Sequence, residues 1–351
     1  MCGARKTNNS DFYLDMLTVK ELRKLLREAK PELVGVYKMR RKELCKNLLK
    51  VKKDWSFKKQ QHRNHTGFIQ YDGRNSCYID TTIFALLHAR NTWVTSNLLH
   101  TDTPNKFTNP KLRDIARQVQ AELLLLADGI QNPAPIQTLK CSKLRSLFKK
   151  FDKEYNGTIK TEWLNDQNEP RDVLDILARI MQIPSDVKLR RSIRTTITED
   201  VMFNSPIIGI EDLLEVDKPV HLHKYLPCAE RSIDVDNTTL VQKEEILDAN
   251  VLFVNIVRNY LDEKKLTTQV VPRKYMSVPQ RAEPMRLVSI LVHIGSSPMS
   301  GHYVCVYKDQ TDGVWYLYDD LVGYMRIGQW KNVLEYKNGF FKKNMVGLFY
   351  V

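Results

Sequence analysis

A cysteine, a histidine and two carboxylates, spread over most of the chain, are the residues whose types could carry acyl transfer. Asn75-Ser76-Cys77-Tyr78-Ile79-Asp80 closes a Gly-containing loop, and after it Ile79, Ile83, Leu86 and Leu87 recur with the period of a helix packed on a core. A thiol where a helix begins lies beside unpaired backbone N–H groups and the positive end of the helix dipole, which favour thiolate, the attacking species in acyl transfer. Taken alone, such a cysteine is as readily a small buried core residue. Far along the chain, Gly301-His302-Tyr303 leads into the alternating stretch Tyr303–Tyr307. Polar turn material follows over Lys308–Gly313, then the aromatic, β-prone stretch Val314–Tyr318. A hairpin of this shape brings His302 beside Asp319, with Asp320 as the neighbour that can substitute. Histidine takes the thiol proton, and a carboxylate on its other ring nitrogen sets tautomer and orientation. A lone His–Asp pair across a hairpin is most often a surface ion pair. The cysteine helix, the Gly-His-Tyr strand and the Asp-Asp strand end make a more specific set.

Asn-Ser-Cys-Tyr at 75–78, and Gly-His-Tyr-Val at 301–304 with Trp-Tyr-Leu-Tyr-Asp-Asp at 315–320, resemble the Cys box and His box of the ubiquitin-specific proteases, a papain-like deubiquitinase family. Gln167–Leu177 is similar to that family's acidic helix, Val251–Arg258 to its palm strand, and Asn344–Val351 to its closing strand. The likeness spans about 285 residues, Gly67 to Val351. Asp80, where most members carry Asn, and the Asn-Ser-Cys-Tyr start look most like the cylindromatosis-type branch. The resemblance implies Cys77 as nucleophile, His302 as general base and Asp319 as the orienting carboxylate. The acyl group would be the C-terminal glycine of ubiquitin, passed through a thioester. It also implies two oxyanion donors, and losing one typically costs on the order of 10²–10³ in rate. The Cys77 N–H is one. Many members supply the other from an Asn five residues before the nucleophile. That place holds Asp72, whose carboxylate would repel an oxyanion, so Asn75, the nearest amide, becomes the candidate. A tail ending in two glycines suits a narrow channel, and Gly301 and Tyr303 stand beside His302 to line it; Tyr303 can equally pack in the palm.

The 351 residues, 42% of them hydrophobic, suffice for one large core and a small module. Cysteines at 2, 45, 77, 141, 228 and 305 show no paired spacing, which suits a reducing compartment, the cytoplasm or nucleus. No apolar run reaches the ~20 residues of a membrane span, and the N-terminus lacks a signal-peptide pattern. No cofactor is expected. Many ubiquitin-specific proteases hold zinc in a fingers subdomain, but here His221, His223 and Cys228 fall short of a four-ligand site, so reduced, metal-free fingers are expected.

The net charge of +13 concentrates at one end: residues 1–66 hold 18 Lys/Arg against 7 Asp/Glu, and the remainder 36 against 34. Thr18-Val19-Lys20-Glu21 reads as a capping box before a helix burying Leu22, Leu25 and Leu26. Pro31 and Gly35 punctuate the link to a second helix from about Met39, which buries Leu44, Leu48 and Leu49. Lys38, Arg40, Arg41, Lys42 and Lys46 crowd its start and outer surface. This pattern resembles the SAP and Rho N-terminal modules, which bind DNA or RNA. Clustered cations release counterions on binding nucleic acid, while a solvated basic face or a surface for an acidic protein gives the same pattern. A finger-reduced protease joined to such a module resembles what large DNA viruses carry, and in that case the compartment is the host cell's.

The expected organisation is a SAP-like module over 1–56, a basic linker over 57–66 and a catalytic domain over 67–351. The catalytic domain divides into a helical thumb at about 67–185 and a palm with reduced fingers at about 186–351. Helices are expected from Asn109-Pro110, over Leu139–Phe151 and over Pro170–Met181. Strands are expected at Ile193–Thr198, Ile207–Ile210, Leu252–Val257, Val270–Val278 and Arg286–His293, with Asn237–Asn250 as loop. The fold class is α+β: a papain-like helical lobe followed by an antiparallel sheet, the site lying in the cleft between. An active deubiquitinase is the leading expectation; a ubiquitin-binding pseudoprotease and a mainly nucleic-acid-binding protein are the alternatives.

Overall fold

Ser76 ends the loop before the cysteine, and the run from Cys77 has no Gly or Pro to interrupt a helix. In the computed structural model that helix, α1, spans Cys77–Leu87, and every residue of it is buried. Residues described are 69–72, 75–89, 91–132, 139–156, 169–183, 187–193, 197–203, 207–210, 219–222, 226, 228–235, 238–258, 265–297, 300–321 and 323–351, with scattered positions between 19 and 47. The chain divides into two units, 1–63 with 321–323, and 64–320 with 324–351.

In the first unit, Leu26, Val36 and Leu44 are buried. Gly35 adopts φ 82°, which lets a 3-10 turn begin at Val36–Lys38. The Glu43 carboxylate accepts the Arg40 N–H at 2.9 Å, capping the helical residues that follow. Lys38, Arg40, Lys42 and Lys46 are exposed. Arg41, Leu22, Leu25, Leu48, Leu49 and the linker lie outside the described residues.

In the second unit, three more long helices pack around α1. Helix α2 spans Pro110–Gln131, and the Asn109 side chain accepts from Lys111 and Leu112 N–H, as its Asn-Pro start requires. Helix α3 spans Ser142–Asn156, beginning and ending later than expected. Helix α4 spans Pro170–Ile180, opened by a capping box between Glu169 and Asp172. Two short helices, α5 (Trp330–Glu335) and α6 (Phe340–Asn344), lie near the C-terminus, and short helical stretches at Thr92–Val94, Thr95–Leu99 and Thr103–Lys106 link α1 to α2.

The strands are β1 Val187–Ile193, β2 Ile197–Phe203, β3 Ile207–Ile210, β4 Val220–His221, β5 Cys228–Val235, β6 Thr238–Asp248, β7 Leu252–Ile256, β8 Val270–Val271, β9 Tyr275–Met276, β10 Met285–Ser297, β11 Ser300–Lys308, β12 Trp315–Asp319, β13 Gly323–Gly328 and β14 Met345–Tyr350. A large sheet runs β13-β12-β11-β10-β14-β7-β3, with β9 on β10. It is antiparallel except where β3 joins β7 in parallel. A separate four-stranded antiparallel sheet runs β2-β1-β6-β5.

Three sequence expectations change. Ile193–Thr198 is not one strand but the end of β1 and the start of β2. Val270–Val278 breaks into β8 and β9, because Pro272 cannot donate to a ladder. Asn237–Asn250 is mostly the eleven-residue strand β6. Its apolar residues come in adjacent pairs, Leu240-Val241 and Ile246-Leu247, and do not alternate; backbone pairing to β1 and β5 on its two sides makes it a strand. In that sheet Arg190 lies in backbone register between Asp200 and Glu245, and Arg191 between Glu199 and Glu244.

One core joins the helical lobe to the large sheet. Phe84 of α1 stacks on Tyr318 of β12 with centroids 3.9 Å apart and meets Tyr307 of β11 edge-on at 5.0 Å. The Thr81 hydroxyl of α1 donates to the Tyr303 carbonyl of β11 at 3.1 Å. The cysteine helix is therefore bolted to the histidine strand.

Candidate active site

The expected hairpin forms, with Cys305 facing Tyr318 and Lys308 facing Trp315. Its turn is closed by the Asp309 carboxylate, which accepts the Thr311 N–H at 2.7 Å, and by Gly313 at φ 69°. This register puts His302 next to the end of β12. Its Nε2 donates to Asp319 Oδ1 at 2.9 Å and lies 3.3 Å from Asp320 Oδ1. With Nε2 facing the carboxylates, Nδ1 is the ring nitrogen left for the Cys77 thiol, which is within hydrogen-bonding reach of the imidazole. All four residues are buried.

Burial by itself would lower the basicity of His302. The hydrogen bonds to Asp319 and Cys77 and the charges of Asp319 and Asp320 outweigh it and hold the imidazole well above its ordinary pKa. The neighbouring His293 goes the other way. Burial, then Lys265 and His302, push it down to about 3, so it stays neutral and does not compete for the proton. Lys265 is itself brought down to about 7, by burial and then by Arg258.

The segment before the nucleophile is anchored to the strand end. Tyr318 donates its hydroxyl to the Ile69 carbonyl at 2.7 Å, and the Tyr71 N–H donates to the Asp320 carbonyl at 3.1 Å. Ser76 stands at the N-cap of α1 but does not cap it. Its hydroxyl donates to Asp80 Oδ2 at 2.5 Å instead. The Cys77 N–H, in the first turn, has no intrahelical acceptor. Asn75 is exposed at φ 52°, its N–H donating to the Tyr71 hydroxyl at 3.1 Å. Asp72 is no bare carboxylate: it pairs with Arg145 of α3 at 3.0 Å, both side chains largely buried. Nothing in the sequence marks Arg145 as its partner, since the two meet only through the packing of α3.

Tyr303 lines a cleft with Glu169 and Pro170 at the start of α4, and with Arg258, Lys265, His293 and Val346 on the sheet side. Its ring rests on His293 with centroids 4.7 Å apart. Gly301 is exposed on one side. On the other, a Cβ would fall inside contact distance of His293 Nε2 and 2.5 Å from the Ile294 carbonyl.

A family model described as ubiquitin carboxyl-terminal hydrolase matches residues 71–324, most of the chain, with Cys77, His302, Asp319 and Asp320 inside the match. The chain belongs to the ubiquitin carboxyl-terminal hydrolase family. This hydrolase is therefore an α+β, papain-like, cysteine-type ubiquitin hydrolase, and its substrates are ubiquitin or ubiquitinated proteins. No curated protein matches it in a sequence search.

Among the described residues of the hydrolase, His302, Asp319 and Asp320 also bring three ligand-type atoms within 4.8 Å of one another. Nε2 faces the carboxylates as a hydrogen-bond donor, so this cluster holds protons. Of the zinc candidates, His221 lies in β4 and Cys228 begins β5, strands of different sheets, and His223 is outside the described residues. No helix among the described residues is long and apolar enough to cross a membrane.

Proposed function

We propose that this hydrolase cleaves the bond after the C-terminal glycine of ubiquitin through a thioester on Cys77. His302 Nδ1 accepts the thiol proton as Sγ attacks the glycine carbonyl carbon. The carbonyl oxygen takes the electron pair and is held by the Cys77 N–H, with Asn75 the candidate second donor. Collapse expels the lysine or other amine, which takes the proton from the imidazolium. Water, deprotonated by His302, then attacks the thioester, releasing the ubiquitin carboxylate and restoring the thiol. Asp319 keeps Nε2 protonated throughout, so that Nδ1 does the proton transfer. The observation that carries this reading is the 2.9 Å His302–Asp319 bond with the Cys77 thiol in reach of the same ring. The extended tail passes Gly301 and Tyr303. A ubiquitin probe with a C-terminal electrophile should label the wild type and leave Cys77→Ala unlabelled; a wild type that binds ubiquitin without forming the adduct is a pseudoprotease, and the enzymatic reading falls.

The finer assignment to the cylindromatosis-type branch rests on Asp80 and the Asn-Ser-Cys-Tyr start. The SAP-like module supports tethering to DNA or RNA: Lys38, Arg40, Lys42 and Lys46 are exposed cations next to a glycine-initiated turn. Retention on nucleic acid that weakens steeply with salt, and that is lost on deleting residues 1–56, tests it; retention without salt dependence rejects it. A cytoplasmic or nuclear setting fits the scattered cysteines, and the pairing of this module with such a protease favours a large DNA virus as source.

A further inference from the structure

Two buried carboxyl groups meet beneath the active site, one from each side of it. Asp80, one turn into α1 from Cys77, is 0% exposed, and Asp320, at the end of the hairpin behind His302, is 2% exposed. They lie within hydrogen-bonding reach of each other. One oxygen of Asp80 takes the Ser76 hydroxyl. Its other oxygen and both oxygens of Asp320 have no hydrogen-bond donor. The His302 N–H, although 3.3 Å from Asp320 Oδ1, is directed at Asp319. Two facing carboxylates whose three remaining oxygens lack donors can bond to each other only if one of them carries a proton.

We propose that Asp80 and Asp320 share one proton, so that a carboxyl–carboxylate hydrogen bond joins the Cys77 helix to the strand end behind His302 and positions the thiol against the imidazole.

This rests on the catalytic reading above, and it adds two positioning residues to it. Fully ionised, Asp80, Asp319 and Asp320 would set three negative charges in a dry interior against one imidazolium. Sharing a proton removes one of them, leaving Asp319 as the charge that faces His302. It also serves the nucleophile. An ionised Asp80 in the first turn of α1 would oppose the helix dipole that favours thiolate, and a neutral one does not. Burial is the main influence raising both carboxyls above their ordinary range.

The groups around the pair come from every element packed on it. Cys77 and Ser76 belong to the helix start, and Tyr71 and Asp72 to the preceding segment. The Cys141 thiol, just before α3, lies beside Asp80; Arg145 of α3 is engaged by Asp72; and Tyr318 donates its hydroxyl to the Ile69 carbonyl. His302 and Asp319 complete the set. Loss of the shared proton at alkaline pH leaves two like charges in contact and pushes helix and strand apart. Asp80→Asn replaces the proton with a permanent N–H donor, so its bond survives at any pH.

The test is kcat/KM on a fluorogenic ubiquitin C-terminal amide between about pH 6 and about pH 10, for wild type, D80N and D80A. D80N should retain most of the activity at neutral pH and move the alkaline limb up by about one pH unit or more. D80A should fall by at least ~10-fold across the range, since the tie is gone. A D80N profile that superimposes on wild type, or a D80N as impaired as D80A, overturns the proposal. Thermal unfolding supplies a readout independent of activity. A carboxyl raised in the folded state contributes stability that is fully present below its unfolded pKa, and lost as pH rises through its folded pKa. Wild type should therefore lose Tm relative to D80N between about pH 6 and about pH 9.5, with other titrating groups dropping out of the difference. A constant difference overturns the shared proton, even if the wild type proves inactive on ubiquitin, an outcome that would sink the catalytic reading alone.

Discussion

Replacing Arg145 with Met would leave the Asp72 carboxylate buried without its cation, one turn of chain before the nucleophile. The pair is 3.0 Å apart, and the side chains are only 12% and 7% exposed. At an effective dielectric of about 20 the gross attraction at that distance is ~5 kcal/mol. Removing one partner of such a buried pair costs about 3–5 kcal/mol, and the residual exposure of Arg145 places the expected loss near the lower end, ~3 kcal/mol. Asp72→Asn removes the charge that needs Arg145, so in R145M/D72N most of that loss should return, giving a coupling energy of at least ~1.5 kcal/mol. Urea midpoints of the four proteins measure the cycle. Activity gives a second reading. R145M should lower kcat on a ubiquitin substrate, because the Asp72 charge in the loop before Cys77, no longer balanced by the guanidinium, opposes both the thiolate and the oxyanion. D72N places an amide where relatives with Asn carry their donor, so the double variant should regain rate as well as stability. If the single and double variants all fall within ~0.5 kcal/mol of wild type, the ion pair has no part in holding the loop and the argument is refuted.

Asp319→Asn should lower kcat by about 10² or more, and Asp320→Asn by clearly less, because His302 donates at 2.9 Å to the first and stands 3.3 Å from the second; equal effects in steady-state kinetics would contradict this. Gly301→Ala should destabilise by about 1–3 kcal/mol and depress activity through the adjacent His302, since its Cβ meets His293 and the Ile294 carbonyl; an unaltered melting temperature refutes the close packing. Thr81→Val should cost ~1 kcal/mol by removing the hydroxyl donor to the Tyr303 carbonyl, measured by denaturant unfolding.

Much of the helical lobe was legible because its signals are local. Asn109-Pro110 and Glu169-Pro170 mark helix starts through capping and a fixed proline φ, and both helices begin there. The Tyr303–Tyr307 and Val314–Tyr318 stretches announced their hairpin through aromatic content and the Asp- and Gly-bearing turn. Strand β6 was not legible, because its pairing comes from neighbours on both sides and its own residues do not alternate. The break between β8 and β9 was legible in principle from Pro272 but masked by the valines around it.

By itself the sequence determined the chemistry on offer: a cysteine at a helix start, a Gly-His-Tyr strand, an Asp-Asp strand end, and a basic N-terminus, since these depend on residue type and short-range spacing. Tertiary structure alone decided how the charges are settled. It gave Asp72 to Arg145, left His293 neutral while raising the basicity of His302, and set Asp80 against Asp320. Each of these outcomes turns on burial and on a partner distant in the chain, and neither desolvation nor long-range contact is written in local spacing.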